Sequence, residues 1–522
     1  MGIVGGTIYA AYFSIVYKVG MVAHLLFLCI AIICCLQNKS LWKQFLQKGK
    51  PILFSWEGFF YLCFILGVAY FTSRGNFHTD TNIYHAQNIR LYEEFGLIKG
   101  MGNLQYHYGY NSLYLAFAAL MSLKWLLPWS LHTTTGFVEM VLCVYAFHHL
   151  KSFRLRTHHL EDAGCVAILV YALVNLCGSM SPATDYPTMF LSLYMIAGWL
   201  RAMEKKSHYS VYALLSVFSV FLSVMKLSSI AMAAVVVLPA FYLLKEKKWK
   251  EIAYYLGLGS LILLPYLVRN VLITGWLIYP VESLDLFSVE WKIPKEYLHV
   301  DAAQIRVWGK CLFDVSKEDW TVRQWFPLWI ENKERYELMF LGCVILGGIL
   351  SLGNLIYKWI NKVQISVELV VLYIGIGASA VLWFIQAPFI RYGLSFLLAI
   401  PLIAMAGWYD LKKTGFYNLF SGILVFGIIV CFSPYMNQYV TDDGVFLKQR
   451  IKDPYYIVQK DYDDDHLTSE VNINGVTIYC AGDYEVNTYF YTPNTCYDIM
   501  LNRTTLKSND LKDGFIPKIE NK

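Results

Sequence analysis

The sequence predicts an all-α polytopic membrane protein, with about 13 transmembrane helices and a small C-terminal appendage of β or α/β character. Three observations predict it. Of 522 residues, 57% are hydrophobic and 16% charged, where soluble domains carry about 25% charged residues. Several continuous apolar runs approach the roughly 20 residues that cross a bilayer core of about 30 Å, and mean hydropathy is +0.44. Because these runs do not alternate apolar with polar, a transmembrane β-barrel is excluded. The third observation is a change of character after residue 434, to an acidic stretch and then the alternating run VNINGVTIYCAG.

The apolar runs lie near 3–17, 20–36, 52–72, 110–128, 133–150, 163–180, 184–203, 209–224, 227–244, 252–272, 336–357, 365–385, 389–409 and 416–434. The start, MGIVGGTIYAAYF, has no basic leader or small-residue cleavage site, so it reads as the first membrane segment. Lys and Arg collect in short loops at 39–50, 151–156, 201–206, 245–250, 358–362 and 412–413. Placing these in the cytoplasm puts 73–109, 181–185, 225–228, 273–335, 386–391 and the tail outside, with the N-terminus in and the C-terminus out. The count then requires an odd number of crossings between 109 and 151, where two runs stand. The first, 110–128, reads as interfacial or re-entrant, since Lys124, Trp125, Pro128 and Trp129 suit an interface.

Two units follow: a transmembrane domain over 1–434, with outer loops 73–109 and 273–335, and an extracytoplasmic domain over 435–522. The tail holds Cys480 and Cys496, a pair that either bridges in that compartment or stays reduced. Among the twelve cysteines there is no C-x-x-C, and most sit in apolar runs as small hydrophobes. No phosphate-loop motif occurs, which argues against an ATP-driven pump, and no nucleic-acid partner is expected.

The polar stretch 76–112, NFHTDTNIYHAQNIRLYEEFGLIKGMGNLQYHYGYNS, interrupts the apolar pattern just beyond the run 52–72. Ionisable groups at a membrane edge are costly and mark function. The side assignment collects His78, Asp80, Asp185, Lys226, Arg269 and Arg391 on one face. Two carboxylates and three cations there suit a phosphate-bearing lipid: the cations hold the phosphate, and a carboxylate acts as base or holds a metal. Asp80 and Asp185 are the candidates for a divalent ion, magnesium or manganese, and the sequence leaves open whether one is needed.

Each residue also has a bland reading. Asp80 opens a helical run, 81–95, and caps it in the ordinary way; against that, Asp80, Tyr84 and Gln87 share one helical face. His78 and His85 are ligands of a metal, contacts for an acceptor, or plain hydrogen-bonding groups. Asp185 precedes Pro187 by two, a common helix start. Lys226, in VMKLSS, and Arg391, in QAPFIRYG, read as phosphate contacts, whereas Arg269 and Arg391 also suit snorkelling to headgroups. In loop 273–335, Ile305, Trp308 and Leu312 form one stripe, so that helix lies on the membrane surface or over a substrate as a lid.

Asp80-x-x-x-Tyr84-His85, then KGMGNL containing Asn103, then NS, SPATDYP, VMKLS and GWLIYPVESLDLFSVEWKIP together resemble a group of polytopic proteins associated with bacterial surface-polysaccharide synthesis. That group is similar in plan to the GT-C glycosyltransferases. The resemblance covers most of the membrane part. It implies a glycosyltransferase in the cytoplasmic (inner) membrane that moves sugar from a polyprenyl-phosphate donor to a glycan or lipid acceptor. On it, Asp80 is the loop-one carboxylate and Asp185 the second acidic position. Lys226 and Arg391 contact the donor phosphate; apart from the resemblance, His78, Tyr84, His85, Gln87, Asn103 and Arg269 are the remaining candidate substrate contacts. The chain departs from the GT-C pattern in having no D-E or E-x-D pair in the first loop. The rival readings are a polysaccharide polymerase or ligase, which leans on Arg and His, and a transporter or flippase of lipid-linked glycan, which needs charges at mid-membrane and related halves.

Overall fold

The structure, a computed structural model, describes residues 2–72, 80–127, 130–150, 159–175, 178–412, 427, 469–480, 491–495 and 498–518. It is mostly helical, with a few short strands near the C-terminus. In chain order the first half holds α1 (Gly2–Val16), α2 (Met21–Gln37), α3 (Lys39–Leu53), α4 (Trp56–Thr72), α5 (Ala86–Glu94), α6 (Met101–Leu104), α7 (Leu113–Met121), α8 (Thr134–His149) and α9 (His159–Val174). The second holds α10 (Asp185–Glu204), α11 (Tyr209–Met225), α12 (Val237–Lys245), α13 (Trp249–Thr274), α14 (Lys295–Gly309), α15 (Val322–Glu331), α16 (Arg335–Ile360), α17 (Val367–Gln386) and α18 (Ile390–Lys412).

Five stretches among the described residues are long and apolar enough to cross a membrane: Leu227–Lys245, Trp249–Thr274, Arg335–Ile360, Val367–Gln386 and Ile390–Trp408. The bent pair α2 and α3 makes a sixth if it counts as one span. These helices mark a membrane-associated protein, but about thirteen crossings are not found. Length is one reason. The runs at 3–17, 52–72 and 209–224 fold as helices of 15, 17 and 17 residues, and at about 1.5 Å per residue such helices stop short of a core of about 30 Å. Burial is the other. The run at 110–128 yields only the nine-residue α7, whose residues Leu113–Leu120 are all buried, and α9 and α10 bury most of their side chains in the protein. The run 416–434 lies outside the described residues, apart from residue 427.

Helix α18 is the centre of the bundle. Its apolar window is 78% buried, against 28–33% in the other four, and it packs on α9, α10, α16 and α17. The others keep exposed apolar surfaces, as is expected of helices whose surrounding medium is itself apolar.

In the tail, β1 (Ser469–Ile473) and β2 (Val476–Cys480) form an antiparallel hairpin. Its two-residue turn is Asn474-Gly475, with φ 51° and 86°, the left-handed pair that Asn-Gly supplies in a tight hairpin. β3 (Asn494–Thr495) adds parallel to β2, α19 (Asp498–Arg503) follows, and β4 (Thr504–Leu506) pairs antiparallel with β5 (Phe515–Pro517). Ile478, Leu506, Leu511 and Phe515 join the same hydrophobic core as the helices. The tail is therefore built onto the membrane part: Phe515 N–H donates to Lys99 O at 3.0 Å, beside Gly100, which has a φ of 62° and where a Cβ would collide with the Phe515 carbonyl. Cys496 lies outside the described residues, so the Cys480–Cys496 pair does too.

Candidate functional site

Four of the residues singled out in the sequence meet at one end of the bundle. They come from the residue before the turn 81–85, the N-terminus of α10, the C-terminus of α11 and the N-terminus of α18. Arg391 Nη2 donates to Asp80 Oδ2 at 3.1 Å, and Arg391 Nε lies 4.0 Å from Asp185 Oδ2. Lys226 pairs with Asp185 through Nζ and Oδ1. Tyr392 sits between the two cations: Lys226 Nζ lies 3.9 Å from its ring centre, and Arg391 Nη2 donates to its hydroxyl at 3.2 Å.

The chain holds each member by local means. Asp80 precedes a π-helical turn, Thr81–His85, and its side chain makes no capping bond there, so its carboxylate faces Arg391. Thr81 and Ser181 hydroxyls meet at 2.6 Å, and Thr135 Oγ1 donates to Ser181 O at 2.8 Å; these tie the SPATD loop to Asp80's neighbour. Asp185 is the first residue of α10, with Pro187 in the first turn, where the missing proline N–H costs nothing. Lys226 breaks α11 with an extended backbone, φ −152° and ψ 125°, and Ser112 Oγ donates to the preceding Met225 O at 2.5 Å. The break before Arg391 is pinned by two indoles, Trp383 Nε1 to Phe389 O at 2.5 Å and Trp329 Nε1 to Pro388 O at 3.1 Å.

Exposure separates the two carboxylates. The Asp80 side chain is 26% exposed and Asp185 only 5%. Asp80 is thus partly exposed, whereas Asp185 is buried between Lys226 and Arg391.

The remaining singled-out residues go elsewhere. Arg269 does not join the cluster: it is 0% exposed, donates from Nε to Asn111 Oδ1 at 3.0 Å and bonds Ser14, with its guanidinium 4.6 Å over Tyr92. It is a core fastener of α13, because a buried guanidinium demands fixed acceptors. Asn103 Nδ2 bridges loops by donating to Trp291 O at 2.8 Å and Gly100 O at 3.3 Å. His85 and Gln87 are buried, and the His85 ring lies 4.0 Å from that of Tyr84. Burial, and after it the Asp80 charge, hold the Tyr84 hydroxyl well above the ordinary phenol range. His78 lies outside the described residues. Of the stripe expected on α14, Ile305 and Trp308 belong to that helix and Leu312 lies past its end.

A second polar group, which sequence reading passed over, abuts Tyr84. Asp301 of α14 is buried and accepts from Tyr110 Oη at 2.7 Å and Tyr279 Oη at 2.9 Å. The Tyr84 ring stacks on His107 at 5.0 Å and meets Tyr110 edge-on at 6.0 Å. Burial pushes the Asp301 carboxyl up, opposed by His107 and the two phenols. Burial and the Asp301 charge hold Tyr110 and Tyr279 well above the ordinary phenol range, so both remain donors. The available signal was the dense aromatic run QYHYGY within 76–112; its acidic partner, about 190 residues on, carried none.

The tail closes over this group. Tyr108 Oη donates to Asn494 Oδ1 at 2.6 Å, and Arg503 donates to Tyr106 Oη at 3.1 Å while stacking 4.4 Å over Tyr297.

Fold and site thus define a helical, membrane-associated protein with a paired-charge cluster at one end of its bundle. Residues 1–398 match the family described as Domain of unknown function (DUF8201), and the chain belongs to that family. The match includes Asp80, Asp185, Lys226 and Arg391, and ends within α18. No curated protein and no solved structure matches the chain.

Proposed function

We propose that this protein is a glycosyltransferase of the cytoplasmic (inner) membrane. It moves sugar from a polyprenyl-phosphate donor to a glycan or lipid acceptor on the extracytoplasmic face, with the N-terminus inside and the C-terminus outside. The observation that carries the reading is the convergence of Asp80, Asp185, Lys226 and Arg391 from four distant segments, with Asp80 the carboxylate open to solvent. The polysaccharide-synthesis resemblance and the GT-C plan support it as analogy, since a plan alone does not give chemistry.

In this reading the acceptor hydroxyl oxygen attacks the anomeric carbon and its proton passes to Asp80. The carbon–oxygen bond to phosphate breaks, with the electron pair leaving on the phosphate. Arg391 and Lys226 stabilise that growing charge. Protonation of Asp80 removes the partner that holds Arg391, so the guanidinium is released toward the phosphate as the phosphate becomes more negative. A resident divalent ion does not fit this set: Asp80 and Asp185 are already matched by Arg391 and Lys226, and both cations would repel it. We therefore read the reaction as metal-independent.

The pairwise neutralisation favours one rival, a flippase for lipid-linked glycan, because ion pairs that open and close suit alternating access. Deleting the gene and complementing it with Asp80→Asn separates the readings. A transferase yields a surface glycan lacking one sugar in both strains; a flippase yields no surface glycan and accumulates the lipid-linked precursor. An unchanged glycan in the deletion strain would sink the proposal.

A further inference from the structure

The basic segment Lys39/Lys43/Lys48/Lys50 is the helix α3, and none of its residues is buried. It turns through 86° from α2. The corner is built at Asn38, whose N–H reaches Cys34 O and Cys35 O at 3.2 Å and whose side-chain amide donates to Cys34 O at 2.9 Å. The carbonyls of Cys34 and Cys35 near the end of α2 are thereby satisfied, and a new helix starts at Lys39.

At about 100° per residue, Lys39, Lys43 and Lys50 fall within roughly 40° of one another, while Leu41, Trp42, Phe45, Leu46 and Leu53 occupy a separate arc of roughly 140°. Those apolar side chains are exposed, as are Leu25, Leu26 and Ile33 of α2 and Phe59, Phe60 and Leu66 of α4. A medium that covers all three helices must be apolar beside α2 and α4 and two-faced along α3. The edge of a bilayer is such a medium. Inside the corner lies an open recess of about 560 Å³, lined by Lys39, Lys43 and Lys50 together with Trp42, Leu46 and Gln47, and by no acidic side chain.

We propose that α3 lies in the headgroup layer and that this recess binds the phosphate of an anionic phospholipid. Lys39, Lys43 and Lys50 all line one space, the indole of Trp42 suits the interface, and Leu36 and Leu46 offer a path for an acyl chain. The site is independent of the transferase chemistry at the other cluster.

The full-length protein is reconstituted in nanodiscs of phosphatidylcholine, with and without phosphatidylglycerol, and amide hydrogen exchange is followed over residues 39–53. Exchange should be at least about fivefold slower with phosphatidylglycerol, the preference that one basic side chain contributes beside an anionic surface. The triple variant Lys39→Gln/Lys43→Gln/Lys50→Gln should lose that difference, and Lys48→Gln, which lies outside the recess, should keep it. Equal exchange of the native protein in the two lipids would overturn the proposal. Loss of the difference in Lys48→Gln as well would replace a built recess by diffuse attraction and also overturn it. Protection by inorganic phosphate in phosphatidylcholine alone would assign the site to a free anion instead of a lipid.

Discussion

Arg391 and Asp80 are joined by a hydrogen bond of 3.1 Å although they stand 311 positions apart. The guanidinium also reaches toward Asp185 and the Tyr392 hydroxyl, so its planar fork serves three partners at once. A lysine supplies the charge but not the fork. Arg391→Lys should lower sugar transfer from a polyprenyl-phosphate donor by about tenfold, and Arg391→Ala by about a hundredfold or more, in reconstituted protein. Unchanged transfer in both variants would remove Arg391 from the site.

The Asp185–Lys226 pair lies deeper. Removing one partner leaves the other charge in a poorly solvated place, which costs about 3 kcal/mol. Asp185→Asn or Lys226→Met should therefore each lower thermal stability in detergent, and the double variant should recover most of the loss. Strictly additive losses would mean that the two side chains do not act as a pair.

Stability should also depend on pH through Glu93 of α5. Its carboxyl is buried, and burial raises it from 4.5 to about 7 despite hydrogen bonds from Ser122 and Ser130 and the nearby Arg90. The folded state therefore binds the proton more tightly than the unfolded chain does. The stabilising contribution is complete below about pH 4.5 and is lost as pH rises through about 7, a change of about 3 kcal/mol. Glu93→Gln should flatten this part of the unfolding curve and raise stability at pH 8. A curve that keeps its slope in the variant would assign the pH dependence to another group.

The tail should loosen when its buried bond to the first loop is cut. Tyr108 donates to Asn494 where both residues are fully buried. Tyr108→Phe leaves an acceptor without its donor at a cost of about 1–3 kcal/mol, and limited proteolysis should then cleave the tail earlier than in the native protein. Identical cleavage rates would show that the tail is held mainly by Phe515 and Arg503.

The apolar runs, the β character of VNINGVTIYCAG and the helix start at Asp185 were legible because each depends on a short stretch of chain. Loop charge placed Asp80, Asp185, Lys226 and Arg391 on one side, and the structure joins all four. The same rule grouped Arg269 with them, yet its side chain turns inward, where Asn111 and Ser14 offer acceptors. Asp301 went unnoticed because one carboxylate on an amphipathic helix carries no local mark; its meaning lies in Tyr110 and Tyr279.

By itself the sequence determined that this chain is helical, apolar and membrane-associated, and it marked Asp80, Asp185, Lys226 and Arg391 as polar residues bordering apolar runs. Hydropathy records only that a side chain avoids water, so it did not distinguish helices that face lipid from those such as α7 and α10 that face protein. That distinction, the pairing of Asp80 with Arg391 and of Asp185 with Lys226, and the closing of the tail over Tyr106 and Tyr108 were decided by tertiary packing. Each is a contact between residues far apart in the chain, whose geometry exists only once the helices have assembled.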